Sequence, residues 1–268
     1  MNYTAGIDIG STFTKAIILD EANAIVGKHL MATGFKLTEA ASQSLQVARE
    51  QAGLTDQDIN YIVTTGFGRH QIPFRDVNVT DLTASARGAS FLFPHTQTIL
   101  DVGGQTMKAI RLDSKQKVKS FRLNDKCAAG SGAFLEKTAR YMGFSLEEIG
   151  PLAATSKEPA PISGVCAVFA ESEVINHLSQ GTPTADIMYG AIISLVGRSV
   201  QLMRRVKLTP EFTLIGGILR FDTMAEVVRN ELDAEVNVPD GEMVQFATAL
   251  GAALLGHQRL RKINQTNH

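Results

Sequence analysis

Residues 7–20 read IDIGSTFTKAIILD, and residues 100–113 read LDVGGQTMKAIRLD. Aligned on their acids, Asp8 matches Asp101, Gly10 matches Gly103 and Lys15 matches Lys108. Lys-Ala-Ile and Leu-Asp then recur in step. In each stretch an apolar run ends in the acid, a turn of small residues follows, and a second apolar run begins. That pattern predicts a β-hairpin whose tip carries free backbone N–H groups. Such a tip can approach a phosphate closely and donate several N–H bonds to it. An acid at the end of the first strand is placed to hold Mg²⁺ beside that phosphate, through water. Two ordinary hairpins with acidic turns are the plainer alternative, and the shared spacing of Asp, Gly and Lys argues against it.

Two like hairpins predict two like lobes. With 268 residues, the chain is long enough for two lobes of roughly 100–150 residues each. The expected boundaries are residues 1–95 for the first lobe and 96–243 for the second, with a C-terminal helix over 244–260 packing back on the first. In the first lobe, strands are expected at Tyr3–Ile9, Phe13–Leu19 and 24–31, a helix over 39–52, a buried strand over 61–65 and a small-residue helix over 80–91. Strand–strand–strand–helix–strand–helix is half of a ribonuclease-H-like lobe. The second lobe is expected to open with strands at Thr98–Val102, Met107–Leu112 and 117–122. Helices follow over 133–142, 146–153, 167–179 and 185–206, the last with Ile192, Leu195, Val196, Val200 and Met203 as its core stripe. A strand over 211–215, a helix over 222–231 and a last strand over 235–238 complete it. The fold class is therefore α/β, with two ribonuclease-H-like lobes around a central nucleotide cleft.

Three glycine turns follow three strands. The turns at 8–12 and 101–105 suit phosphates and metal, and Gly216 and Gly217 leave room for an adenosine to lie on the backbone. In this order the motifs resemble those of the superfamily of sugar kinases, heat-shock 70 chaperones and actin. The resemblance implies ATP or ADP with Mg²⁺. Gly10, Ser11, Thr12, Gly103 and Gly104 would line the phosphates. Asp8 and Asp101 would position the metal and its waters, Lys15 would offset charge on the transferring phosphoryl group, and Gln105 would orient the attacking water. A solvated strand lysine and a surface glutamine remain the plainer readings of the last two.

Lysine and arginine number 26 against 27 aspartates and glutamates, a net charge of -1 with no long basic run, so nucleic acid is not an expected partner. No apolar run approaches the ~20 residues of a membrane span. Residue 3 already enters a strand, and the expected location is the cytoplasm. There the two cysteines, Cys127 and Cys166, are reduced thiols or metal ligands rather than a disulfide. Each lies just before or at the start of a predicted helix, where free N–H groups favour a thiolate. Read locally, they are either small buried apolar residues or two ligands that a two-fold dimer brings together as four.

NDKCAAGSG, VCAVFAESEVI and DVGGQ together resemble the activator ATPases of 2-hydroxyacyl-CoA dehydratases, and equally the ATP-binding subunits of benzoyl-CoA reductases. The match runs from about residue 3 to 257. It implies a homodimer, or a heterodimer with a close relative, that shares one [4Fe–4S] cluster through Cys127 and Cys166 of each subunit. It also implies an oxygen-sensitive protein that passes on a low-potential electron under ATP, with a ferredoxin or flavodoxin as its donor and a CoA-ester dehydratase or reductase as acceptor. Thr106 and Ala133 depart from the family pattern, where Asp and Arg are frequent. A sugar or acid kinase without a cluster is the first rival, and a nucleotide-switched scaffold the second. Neither needs the cysteines. Arg69, after the glycine turn at 66–68, fits a partner contact or a plain surface arginine.

Overall fold

The computed structural model describes residues 2–124 and 130–266. The chain divides into two compact units. The first holds Met1–His95, Asp113–Val118 and Gln245–His268, and the second holds Thr96–Leu112 and Lys119–Val244. The turn at 113–118 groups with the first unit.

In the first unit, β1 (Tyr3–Ile9), β2 (Phe13–Leu19), β3 (Ile25–Ala32), β4 (Ile59–Gly66) and β5 (Val77–Asn78) form a sheet in the order β3-β2-β1-β4-β5. β1 runs antiparallel to β2 and parallel to β4. Helices α1 (Leu37–Gln51) and α2 (Asp81–Leu92) complete the predicted order. Ile7, Ile9, Ala16 and Ile18 are fully buried against Ala41, Leu45 and Ala48 of α1, because alternate strand positions face the helix that follows.

The second unit repeats this plan. β6 (Thr98–Val102), β7 (Met107–Leu112), β8 (Val118–Asn124), β9 (Phe212–Ile215) and β10 (Val236–Asn237) are ordered β10-β9-β6-β7-β8. β6 is antiparallel to β7 and parallel to β9. Its helices are α3 (Gly132–Tyr141), α4 (Ile149–Ala153), α5 (Ala167–Ser179), α6 (Thr184–Arg204) and α7 (Asp222–Leu232). The predicted α6 stripe of Ile192, Leu195, Val196, Val200 and Met203 is fully buried.

Several elements differ from the expectation, three of them for a plain local reason. β5 has two residues, too few to show a period. α4 starts three residues late, because Ser145 N and Oγ both donate to Glu148 Oε2 (2.8 and 2.7 Å) and form a turn first. The final helix α8 (Met243–Thr266) outruns its small-residue stripe, since exposed Arg261 and Lys262 are good helix formers.

From Gln245 onward α8 belongs to the first unit, where glycines permit backbone-to-backbone packing. A Cβ on Gly6 of β1 would collide with Ala249 O, and one on Gly88 of α2 with Ala247 O. Thr4 Oγ1 donates to Ala253 O at 3.1 Å, and Ser85 and Thr248 hydroxyls meet at 2.9 Å. Among the described residues no helix is long and apolar enough to cross a membrane.

Candidate functional site

The hairpin repeat in the sequence is a repeat in space. Asp8 pairs across the ladder with Lys15, and Asp101 with Lys108. Both ladders are antiparallel, so each lysine side chain lies on the same face as its acid. Lys15 Nζ sits 3.2 Å from Asp8 Oδ2, and Lys108 Nζ sits 3.0 Å from Asp101 Oδ2. Each hairpin's lysine is therefore paired with its own hairpin's acid. Asp8, Asp101 and Lys108 are nearly buried, so each acid offers a desolvated carboxylate whose charge is matched at close range.

The tips match too. Gly10 N donates to Phe13 O (3.1 Å), and Gly103 N to Thr106 O (2.9 Å). Ser11 and Thr12 are half-buried, and Gln105 is exposed. The first tip is pinned by Thr33, just past β3: its N–H donates to Thr12 O and its Oγ1 to Gly10 O, both at 2.9 Å. The second tip is pinned by the start of α3. Gly132 N donates to Gly103 O (3.1 Å), Ala133 N to Gly104 O (2.7 Å) and Ser131 Oγ to Gly104 O (2.9 Å). Ala133, one of the two departures, thus serves the turn through its backbone. Thr106 closes the same turn with its carbonyl.

A fourth glycine turn completes the symmetry. Gly66 ends β4 with φ +83°, and Gly216 follows β9 with φ +103°. A Cβ on Gly66 would crowd Asp8 Oδ1 and Ile9 O, and one on Gly216 would crowd Asp101 Oδ1 and Val102 O. Each acid is thus held between a lysine and a left-handed glycine. The Cβ side of Gly216 is filled by Asp101 and Val102 at the end of β6. Gly217 opens a short 3₁₀ turn, Gly217–Arg220. The sequence reading missed Thr33, Gly66 and Lys108 as parts of the site, although Lys108 stood in the repeat and Gly66 followed a strand as Gly216 does.

Cys127 lies outside the described residues. Cys166 is half-buried and is the residue immediately before α5, with β-region backbone. Its thiol is held below its ordinary value, first by the Phe169 N–H and then by the Val168 N–H, with the Arg198 charge adding. Cys166 stands at the N-cap position of α5 without a side-chain cap hydrogen bond, so the free N–H groups of the first turn act on the sulfur as positive partial charges. Val165, Val168 and Phe169 around it are 89%, 60% and 65% exposed. A thiol beside the free N–H groups of a helix start, among exposed apolar side chains, suits a metal–sulfur group covered from outside. Among the described residues no group of three or more His, Cys, Asp or Glu side chains could hold a metal ion, so any such group must draw ligands from elsewhere. α3 and α5 are tied to each other: Tyr141 Oη donates to Glu171 Oε1 (2.7 Å), which also pairs with Lys137 Nζ (2.5 Å).

The model of the BadF/BadG/BcrA/BcrD ATPase family matches residues 5–256. The chain belongs to that family. An activator of lactoyl-CoA dehydratase from Anaerotignum propionicum is 39% identical, over 97% of this chain and 99% of its own length. The solved activator of the 2-hydroxyisocaproyl-CoA dehydratase from Clostridium difficile, with bound ADPNP, superposes with a TM-score of 0.93 at 36% identity, covering 98% of this chain and 97% of that one. A ROK family glucokinase from Streptomyces griseus shares the fold at 16% identity and a TM-score of 0.59, over 96% of this chain and 99% of that one. The fold is thus the two-lobed ATPase fold of actin, heat-shock 70 and the sugar kinases, and this family is one of ATPases.

Proposed function

We propose that this family member is an ATP-hydrolysing electron donor that activates a 2-hydroxyacyl-CoA dehydratase, or a partner of the benzoyl-CoA reductase type. The observation that carries the reading is Cys166: a thiol at a helix N-terminus, ringed by exposed apolar side chains, in a family of ATPases whose relatives are named dehydratase activators.

Gly10, Ser11, Thr12, Gly103 and Gly104 take the phosphates of ATP. Asp8 and Asp101 hold Mg²⁺ and its waters, which requires Lys15 and Lys108 to give up part of their pairing to phosphate oxygens. Lys15 is then free to offset charge on the γ-phosphoryl, Gln105 aims a water at its phosphorus, and ADP departs with Gly216 and Gly217 beside its nucleoside. Cys127 and Cys166, with their counterparts in a second subunit, hold one [4Fe–4S] cluster, a one-electron store of low potential. The helix N–H groups at Cys166 favour the anionic thiolate the cluster needs. The apolar collar supports a homodimer, or a heterodimer with a close relative. A ferredoxin or flavodoxin supplies the electron and the CoA-ester enzyme receives it, in the cytoplasm. The kinase reading is disfavoured, because its support is a likeness at 16% identity and it leaves Cys166 without a task.

The test is anaerobic purification followed by iron, sulfide and ATPase assays. A brown protein with four irons per dimer is expected. Cys127→Ser and Cys166→Ser each lose the colour and the ATP-dependent reduction of an acceptor dehydratase. Asp101→Asn keeps the iron and slows hydrolysis by roughly 100-fold or more, the scale of one lost electrostatic contact in a transition state. A colourless wild-type chain that phosphorylates a sugar defeats the reading.

A further inference from the structure

Residues 156–166, which deliver Cys166 to α5, form a strap lying along one face of α6. The α6 residues that touch it stand four apart: Asp186, Gly190, Ser194 and Arg198, one stripe of the helix. Asp186 Oδ1 accepts Ser156 Oγ (2.7 Å), Lys157 N (2.8 Å) and Glu158 N (3.0 Å). Ala160 N donates to Asp186 O at 2.9 Å, and a Cβ on Gly190 would collide with Ala160 O. Ser194 Oγ donates to Ser163 O at 2.6 Å. Arg198 Nη1 reaches Ser194 Oγ at 2.7 Å and Ser163 O at 3.4 Å. Ser163 N is fastened from the other side by Glu173 Oε2 at 2.5 Å. The tethers thus run from Ser156 at the start of the strap to Ser163, three residues before the thiol.

Arg198 has a second engagement. Its guanidinium lies 5.1 Å from the ring centre of Phe134 in α3. Phe134 is the third residue of the helix whose first N–H groups hold Gly103 O and Gly104 O of the second phosphate turn. One planar cation therefore touches both the helix that grips the phosphate turn and the strap that ends at Cys166. An arginine suits this, because its plane stacks on a ring while its edge donates hydrogen bonds, which a lysine cannot do together.

We propose that Arg198 is a positioning residue that joins the second phosphate turn to the Cys166 strap, so that nucleotide occupancy changes where the Cys166 sulfur is held. This rests on the ATPase and thiolate-ligand readings above. A tip that closes on phosphate shifts the start of α3, the ring of Phe134 moves with it, and Arg198 carries the shift to Ser163. Such a joint is a physical link within one unit, and the warrant it needs is measured coupling.

Hydrogen exchange of the strap amides, in the full chain with and without Mg²⁺-ADPNP, measures it. In the wild type, nucleotide alters strap exchange by roughly 2- to 30-fold, the range for coupled elements. Arg198→Lys keeps the charge and loses at least half of that response on a logarithmic scale. Phe134→Leu, which removes the ring from the other side, does the same. A merely structural role moves strap exchange equally with and without nucleotide and leaves the difference between them unchanged. The joint is overturned if the wild-type strap ignores nucleotide, or if both variants respond as the wild type does. On reconstituted protein the nucleotide-dependent shift in cluster potential narrows in Arg198→Lys. A wild type that takes up no cluster defeats the iron–sulfur reading alone, and strap exchange still decides the role of Arg198.

Discussion

At the scale of single residues, each unit places opposed constraints on one carboxylate. Asp8 has Lys15 on one oxygen and the bare backbone of Gly66 against the other, and Asp101 has Lys108 and Gly216. The glycines answer two demands at once: a left-handed backbone and the absence of a Cβ where the acid sits. Gly34 answers only the first, with φ +60° and nothing within 4 Å of a Cβ position. Gly34→Ala should therefore cost only the backbone strain, about 1–2 kcal/mol. Gly66→Ala must add a collision with Asp8 and Ile9. Urea unfolding of the two variants should give the larger loss at Gly66, accompanied by loss of ATP turnover that Gly34→Ala does not show. Equal losses mean that Gly66 is a turn glycine with no role in holding Asp8.

At the scale of elements, α8 illustrates how a helix can be fastened without large side chains. Gly251, Ala249 and Ala253 bring its backbone against α2 and β1, replacing side-chain interdigitation with close dispersion contact. Near its far end His257, nearly buried, places Nε2 2.7 Å from Asp20 O. Burial lowers the His257 pKa below its ordinary 6.5, and the Arg261 charge adds to this, against the opposing pull of Asp20. The folded state thus resists the proton that the unfolded chain takes up near pH 6.5. The stability contributed by neutral, bonded His257 is complete above that value and is lost as pH falls through the lowered folded value. Thermal unfolding from pH 7.5 to 5 should show this acid loss in the wild type, and His257→Gln should flatten it. An unchanged slope in the variant assigns the acid sensitivity to other groups.

At the scale of the molecule, two units share one strand order and one hairpin register at their centres. What sets the second apart is the material between β8 and β9, including α3, α5 and α6, which carries Cys166 and the contacts that place it. An ATPase of this plan should be stabilised by its nucleotide in proportion to occupancy. At 100 times the dissociation constant, Mg²⁺-ADPNP should raise the melting temperature by about 5–10 °C, the shift that ~2.7 kcal/mol of binding linkage brings in a chain of this size. No shift at any concentration removes the nucleotide from the reading. The sequence alone determined the two acid–turn–lysine hairpins, most strands and helices to within a few residues, and the cysteine beginning α5, because apolar period, turn chemistry and capping are written in neighbours along the chain. Only the tertiary structure decided that Gly66 and Gly216 back the acids, that Thr33 and the start of α3 pin the two tips, and that α6 holds the strap through Asp186, Ser194 and Arg198. Those partners lie about 20 to more than 110 residues apart, and nothing local in a sequence says which distant backbone will come within hydrogen-bonding reach.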